Sequence, residues 1–277
     1  MAENSGDLPA KASERARATD GVGHEPVRLT FASYNIHKGV GRDRRRDADR
    51  ILTVLHELDA DIIALQEADR RFGTREAVLP RQLIEEQHWR IVPCAGRPAS
   101  MGWHGNAILV RRDIEIVDAQ PITLPALEPR GAICASLRFG GHDFEVVGMH
   151  LDLSGLLRRK QIGAVCGHLL PKRAASVVMG DLNEWSPRKG ALQAFADEWT
   201  VLNAGKSFPS GQPLAPLDRI VHSSHWQCEQ VSVHHSALAA VASDHLPVKA
   251  TLSLCPIRGQ LPASKAGTPF LRRGINP

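Results

Sequence analysis

The chain has 277 residues, 43% of them hydrophobic and 23% charged, with a formal net charge of +4 at pH 7. This is an ordinary globular composition, long enough for one large core or two small ones. No run approaches the roughly 18 apolar residues of a membrane span, and no apolar secretory stretch opens the chain, so a soluble, cytoplasmic protein without a transmembrane segment is expected.

The five cysteines, Cys94, Cys134, Cys166, Cys228 and Cys255, are scattered and never form a C-x-x-C pair. Neither a disulfide framework nor a zinc site is indicated. Residues 1–27 carry three Lys/Arg against five Asp/Glu, and residues 253–277 carry four Lys/Arg and no acid, which leaves the stretch between them at about +2. A near-neutral core gives no global grip on a polyanion. Attraction for phosphate must then come from local clusters such as Arg42, Arg44, Arg45 and Arg46, or Arg158, Arg159 and Lys160.

In chain order, residues 1–27 lack apolar periodicity and read as a disordered lead-in. Val27, Leu29 and Phe31 alternate as in a strand, and Ile51, Leu55 and Leu58 share one helical face. Residues 61–65 form a short apolar run ending in Gln66-Glu67, and residues 107–110 form another strand. Residues 133–139 and 144–149 flank Gly140-Gly141 as a hairpin. Ile162, Val165, Cys166 and Leu169 make an amphipathic helix before a strand at 176–179. One domain over residues 28–254 follows, with residues 255–277 as a flexible basic tail able to touch an anionic membrane surface. Hairpins mixed with helices predict an α/β domain with largely antiparallel sheets covered by helices.

Polar residues recur where these apolar runs end. Asn35 follows the first strand, Glu67 the second, His150 and Asp152 the hairpin, and Asp181 with Asn183 the strand at 176–179. Asp218 precedes Ile220-Val221, and Asp244-His245 precedes the closing strand. Groups at one end of neighbouring strands can converge on a point. Phosphate ester hydrolysis needs a hard cation, an activated water and donors for the developing charge. Carboxylate and amide oxygens suit Mg²⁺ or Mn²⁺.

Glu67 is accordingly the first choice of metal ligand, with Asn35 and Asp244 completing or supporting its shell. Asp181 is placed to orient or deprotonate the attacking water, and Asn183 to hold a phosphate oxygen. His150 and His245 can donate to that oxygen, and Asp218 can fix the tautomer of His245. Base and stabiliser can also be exchanged between Asp181 and His245. His104, Asn106 and Arg130 are candidate substrate contacts, Arg130 as a bidentate phosphate clamp. His37 and Lys38 are expected to line the same mouth. Asp152 is expected either as a further ligand or paired with Arg158 or Arg159. Trp103, Trp185, Trp199 and Trp226 are expected in the core or at the rim.

The segments Ala32-Ser33-Tyr34-Asn35-Ile36-His37, Asp61 through Gln66-Glu67, Gly148-Met149-His150-Leu151, Gly180-Asp181-Leu182-Asn183, Leu217-Asp218-Arg219-Ile220 and Ser243-Asp244-His245-Leu246-Pro247 occur in the order of the endonuclease/exonuclease/phosphatase superfamily. The chain resembles that superfamily over about residues 28–252. The resemblance implies the DNase I-like four-layer αββα sandwich, Mg²⁺ or Mn²⁺ dependence and in-line attack of water on a phosphodiester or phosphomonoester. It assigns the roles given above to Asn35, Glu67, His150, Asp181, Asn183, Asp218, Asp244 and His245. The abasic-site nucleases of the superfamily commonly carry Tyr at the position of His150. The His version is similar to the DNase I, sphingomyelinase and inositol-phosphatase branches. Tyr-Asn-Ile-His-Lys-Gly at 34–39, Gly102 through Ala107 and Glu128-Pro129-Arg130-Gly131 look like bacterial members of unsettled substrate.

The expected activity is hydrolysis of a phospholipid, a head group or another small phosphoester. The alternative is a nuclease acting on DNA or RNA, favoured by the arginine clusters. A non-catalytic module of the same fold is disfavoured because every position of the constellation holds a competent residue.

Overall fold

The computed structural model describes residues 27–70, 73–126, 130–186 and 189–255. The expected lead-in and basic tail therefore lie outside the described residues, apart from Val27 and Cys255. Among the described residues twelve strands form two sheets. The first contains β1 (Arg28–Asn35), β2 (Ile62–Gln66), β3 (Trp89–Ile91), β4 (Ala107–Arg111), β11 (Trp226–Val233) and β12 (Val248–Leu254), in the order β11-β12-β1-β2-β4-β3. The second contains β5 (Glu115–Thr123), β6 (Gly131–Phe139), β7 (His142–His150), β8 (Ala175–Asp181), β9 (Trp199–Val201) and β10 (Asp218–Ser223), in the order β5-β6-β7-β8-β10-β9. Each sheet is antiparallel except for one central parallel pair, β1 with β2 and β7 with β8.

Period-two alternation divides the core into three slabs and so defines four layers. Phe31, Ile62 and Ala64 from the first sheet meet Ile133, Phe144 and Val177 from the second. At the centre of that slab the Trp226 ring stands edge-on to Phe31 and Phe144, with centroids 5.4 and 5.5 Å away. The residues between them on β1 and β2, such as Ala32, Tyr34, Ile63 and Leu65, face the other way, against α1 (Ala48–Leu58), α2 (Arg81–Glu86) and α4 (Ala239–Ala242). On the opposite side Ile162, Val165 and Leu169 of α3 (Gly155–Leu169) cover Cys134, Val147, Met149 and Val178. Cys166, expected on the buried face of α3, is only half-buried.

Local chemistry sets the boundaries. Asp47 caps α1 by accepting from the Arg50 amide at 3.0 Å, and Asp59 ends it in the left-handed conformation, φ 44°. Gly140 and Gly141 turn the β6–β7 hairpin with φ of 57° and 78°, as their sequence predicts.

This topology brings the candidate residues to one end. Parallel β1 and β2 finish there with Asn35 and Glu67, and the antiparallel neighbours β4 and β12 start there, after Asn106 and His245. In the second sheet β7 and β8 finish with His150 and Asp181 in register, while β6 and β10 start with Gly131 and Asp218. Gly180 permits the approach of β8 to β7, since a Cβ there would run into the Met149 carbonyl oxygen. Gly180→Ala is expected to destabilise the fold by about 1–3 kcal/mol or more, because the obstacle is backbone and cannot rotate away. Thermal unfolding of the variant checks this. Displacement of the adjacent Asp181 should also remove activity from the fraction that folds.

Candidate active site

The site is built around a buried carboxylate, Asp181, where the two sheets meet. Its Oδ2 accepts from Asn35 Nδ2 at 3.0 Å, which joins the end of β1 to the end of β8. Its Oδ1 accepts from the Asn183 amide at 3.0 Å. His150 Nε2 and His245 Nε2 lie 3.4 and 3.7 Å from Asp181 Oδ2. The other His245 nitrogen, Nδ1, is 2.8 Å from Asp218 Oδ2, which also accepts from the Ser207 hydroxyl at 2.6 Å. A proton on Nδ1 satisfies that carboxylate and turns Nε2 toward Asp181. Asp181, Asp218 and His245 offer ligand atoms within 4.8 Å of one another.

Glu67 stands across the site in a left-handed conformation, φ 53°, and is ion-paired with the Lys38 ammonium. Lys38 is itself held by three successive left-handed residues, His37, Lys38 and Gly39, with φ of 45°, 57° and 70°. Such a backbone costs an L-residue about 1–2 kcal/mol, and strain of this kind collects where side chains must be aimed. The Asn35 side-chain oxygen accepts from the His37 amide at 3.1 Å and so steers this turn. Asn183 is likewise left-handed, φ 50°, with its amide nitrogen donating to Leu151 O at 2.9 Å.

Asp244 lies at the lip, with Oδ1 3.7 Å from His37 Nδ1 and 3.4 Å from Ser243 Oγ. His104 and Asn106 belong to the turn before β4, whose Gly105 packs under Glu67. The Asn106 amide donates to the Gly131 carbonyl at 2.9 Å, tying β4 to β6, while its Oδ1 is buried without a partner among the described residues. His104 stacks edge-on against Trp103 and lies 3.4 Å from Arg75. Arg130 is near enough to act electrostatically on His150. The Asp152 carboxylate accepts from the Ser154 amide at 2.9 Å, and among the described residues it forms no ion pair with Arg158 or Arg159. Arg158 instead donates to the Asp152 and Leu153 carbonyls and to Glu184. Of the tryptophans, Trp226 is core, Trp103 and Trp199 are half-buried, and Trp185 is exposed at the rim.

Sequence reasoning missed Ser207, Ser243, Phe208 and Arg219. Ser243 donates to the Asn35 carbonyl at 2.7 Å, and Phe208 packs on the His245 ring with centroids 4.8 Å apart. Arg219 is buried beside Asp218, and burial lowers it to about 10. Ser243 and Arg219 stand inside quoted motifs, where a search for unusual neighbours of the acidic residues would have found them. Ser207 and Phe208 carry no such signal. Tyr34 is fully buried among the residues under the helices of the first sheet, close enough to Asp244 and Asp218 for their charges to act on its hydroxyl.

The electrostatics separate the two histidines. Burial, offset only in part by Asp181 and Glu67, pushes His150 down to about 4. Burial also opposes charge on His245, but Asp218, Asp181 and Asp244 outweigh it and raise the ring to about 10. Glu67 would be raised by burial, yet the hydrogen bond and charge of Lys38 hold it below its ordinary value.

For His150 the unfolded chain, titrating near 6.5, binds more protons than the folded one between that pH and about 4. Its contribution is therefore lost as pH falls through this window and constant above it. His150→Gln is expected to flatten the acid limb of the melting-temperature profile relative to wild type. An unchanged limb would contradict a neutral, buried His150. His245 works in the opposite sense, stabilising below about 6.5 and losing that effect as pH climbs through about 10.

The donor set of carboxylates, amide oxygens and imidazoles, without thiolates, suits a hard divalent cation, and the Lys38 ammonium on Glu67 marks a position that takes positive charge. The fold and these groups define a class in which phosphoesters are the common substrate. The profile of the Endonuclease/Exonuclease/phosphatase family matches residues 32–245, and the chain belongs to that family. It is 28% identical over 211 residues to the uncharacterized protein YbhP of Escherichia coli K12, covering 68% of this chain and 82% of that one. The fold is shared with an endonuclease/exonuclease/phosphatase family protein of Bacteroides thetaiotaomicron, with a TM-score of 0.66, 18% identity and coverage of 83% and 99%. It is also shared with the mannosyl-6-phosphatase of that organism, with a TM-score of 0.62, 19% identity and coverage of 81% and 99%. No helix among the described residues is long and apolar enough to cross a membrane.

Proposed function

We propose that the chain is a divalent-metal-dependent phosphoesterase that hydrolyses a small or lipid phosphoester by in-line attack of water. The observation that carries this reading is the convergence of Asn35, Asp181, His150 and the Asp218–His245 pair on one point, with Glu67 and Lys38 beside it. Glu67, supported by Asn35 and Asp244, would hold Mg²⁺ or Mn²⁺. That ion supplies charge neutralisation at the phosphoryl oxygens.

The protein groups supply the rest. Asp181, oriented through both oxygens by Asn35 and Asn183, takes the proton of the attacking water. His245 is held protonated by Asp218 and donates from Nε2, which favours it as stabiliser and Asp181 as base. His150, kept neutral by burial, contributes a hydrogen bond without adding charge. Asn183 and Arg130, at the same end of the second sheet, would hold the phosphoryl group. The near-neutral core and the His150 version of the site support a compact ester over a long polyanion.

Hydrolysis of bis-p-nitrophenyl phosphate beside p-nitrophenyl phosphate, with Mg²⁺ or Mn²⁺, tests this reading and separates diesterase from monoesterase. Turnover of at least one is expected. The second reading, a nuclease, is favoured by the exposed Arg42, Arg44 and Arg45 at the mouth. It predicts plasmid cleavage at low salt and binding that falls with a slope of about −0.9 per phosphate contacted. Absence of cleavage with either metal removes it.

A further inference from the structure

We propose that the rim of the catalytic opening is a docking surface for an anionic phospholipid bilayer, and that the ester delivered to the site belongs to a lipid head group. The substrate half of this inference rests on the phosphoesterase reading above. The docking half stands on the surface itself.

Among the described residues seven large hydrophobic side chains are exposed, and Leu153, Leu156, Trp185, Leu214 and Val241 belong to segments that adjoin the site residues. Leu153 and Leu156 are in the segment that follows His150, and Trp185 stands two residues beyond Asn183. Arg158 joins these two stretches, donating to the Leu153 carbonyl and, at 3.1 Å, to Glu184. Leu214 sits in the turn closed by the Phe208–Ala215 bridge, and Val241 is in α4, just before Asp244. The Trp185 ring is edge-on to Phe208 at 6.4 Å, and Phe208 packs on His245 at 4.8 Å. Trp185 is therefore linked through one ring, Phe208, to the His245 imidazole. Single exposed apolar residues are ordinary, but a group of them concentrated at a reactive opening marks a contact surface.

The charge of the same rim selects the partner. Arg42, Arg44 and Arg45 are exposed on the loop after Asn35, and Arg159 and Lys160 are exposed at the start of α3 on the other lip. None of these five is in an ion pair among the described residues, whereas the intervening Asp43 is paired with Arg50. The Arg42 guanidinium lies against Gly211 in the Leu214 turn, and its amide donates to the Val241 carbonyl. Cations and aliphatic side chains thus share one lip. Nucleic acid would satisfy the arginines but would leave four aliphatic side chains facing phosphates and water. An anionic bilayer meets both, with head-group phosphates on the arginines and the aliphatic groups sunk at the acyl boundary.

The test is co-sedimentation with vesicles of phosphatidylcholine alone and of phosphatidylcholine with phosphatidylglycerol, alongside a duplex oligonucleotide. Wild type is expected to pellet with the anionic vesicles, with a blue shift in tryptophan emission that Trp185→Leu removes. Leu153→Glu with Leu156→Glu, and separately Leu214→Glu, should weaken this partition by about tenfold or more. Both variants should hydrolyse soluble bis-p-nitrophenyl phosphate as wild type does. Equal binding to neutral vesicles, partition unchanged in the glutamate variants, or preference for the oligonucleotide would each overturn docking to an anionic bilayer. Failure to hydrolyse the soluble ester, with vesicle binding intact, would instead remove the phosphoesterase reading and the lipid substrate with it.

Discussion

Asp181→Asn is expected to lower kcat on an activated phosphodiester by about 10²–10⁴-fold, the range that a positioned general base contributes. Asparagine keeps the volume, but Asn35 Nδ2 and the Asn183 amide reach different carboxylate oxygens, so its one oxygen can accept from only one of them. It cannot take a proton, and it loses the negative charge that His150 and His245 face at 3.4 and 3.7 Å. KM should change far less than kcat, because the lost interaction acts on the attacking water. The His245 ring should also titrate lower, since Asp181 is one of the charges that raise it. Steady-state kinetics with a histidine-resolved NMR titration checks both. A kcat within a few-fold of wild type would remove Asp181 from the chemistry.

Glu67→Gln is expected to act through metal affinity. The Glu67 carboxylate is three-quarters shielded and already carries a cation, Lys38, whose charge keeps it ionised against its burial. Glutamine fills the same space but offers one neutral oxygen and leaves Lys38 without its partner. Loss of a ligand should exceed the roughly 10–100-fold penalty of losing an outer hydrogen-bond partner. Binding of Mn²⁺ followed by electron paramagnetic resonance reads this directly, without turnover. Near-wild-type affinity would place the metal elsewhere, with the Asp181, Asp218 and His245 cluster as the first place to look.

Strands buried on both faces were legible in the sequence. Ile62 through Leu65 and Val177 through Met179 are continuous apolar runs because each lies between a helix layer and the opposite sheet. Edge strands were not. On β5 only Ile122 is buried, and Pro121 sits inside the run, which an edge tolerates. β11, an edge strand of the first sheet, is similarly half-exposed, and the four-residue α4 is too short to show a period.

The site followed the same division. Asn35, Glu67, His150, Asp181, Asp218 and His245 stood out because each ends, begins or closely flanks a strand in the sheet interiors. Ser207 comes from a loop with no periodicity and reaches Asp218 only through the tertiary fold. The grip of Lys38 on Glu67 depends on the parallel pairing of β1 with β2 and on three consecutive left-handed residues, neither of which local spacing reveals.

The central claim is metal-dependent phosphoester hydrolysis at this one site. Its most direct test is hydrolysis of bis-p-nitrophenyl phosphate and p-nitrophenyl phosphate with Mg²⁺, with Mn²⁺ and with EDTA, by wild type, Glu67→Gln and Asp181→Asn. The expected result is turnover that EDTA abolishes, that added metal restores, and that both substitutions remove. Turnover indifferent to EDTA, or retained in both variants, would contradict the placement of the site and the role of the metal together.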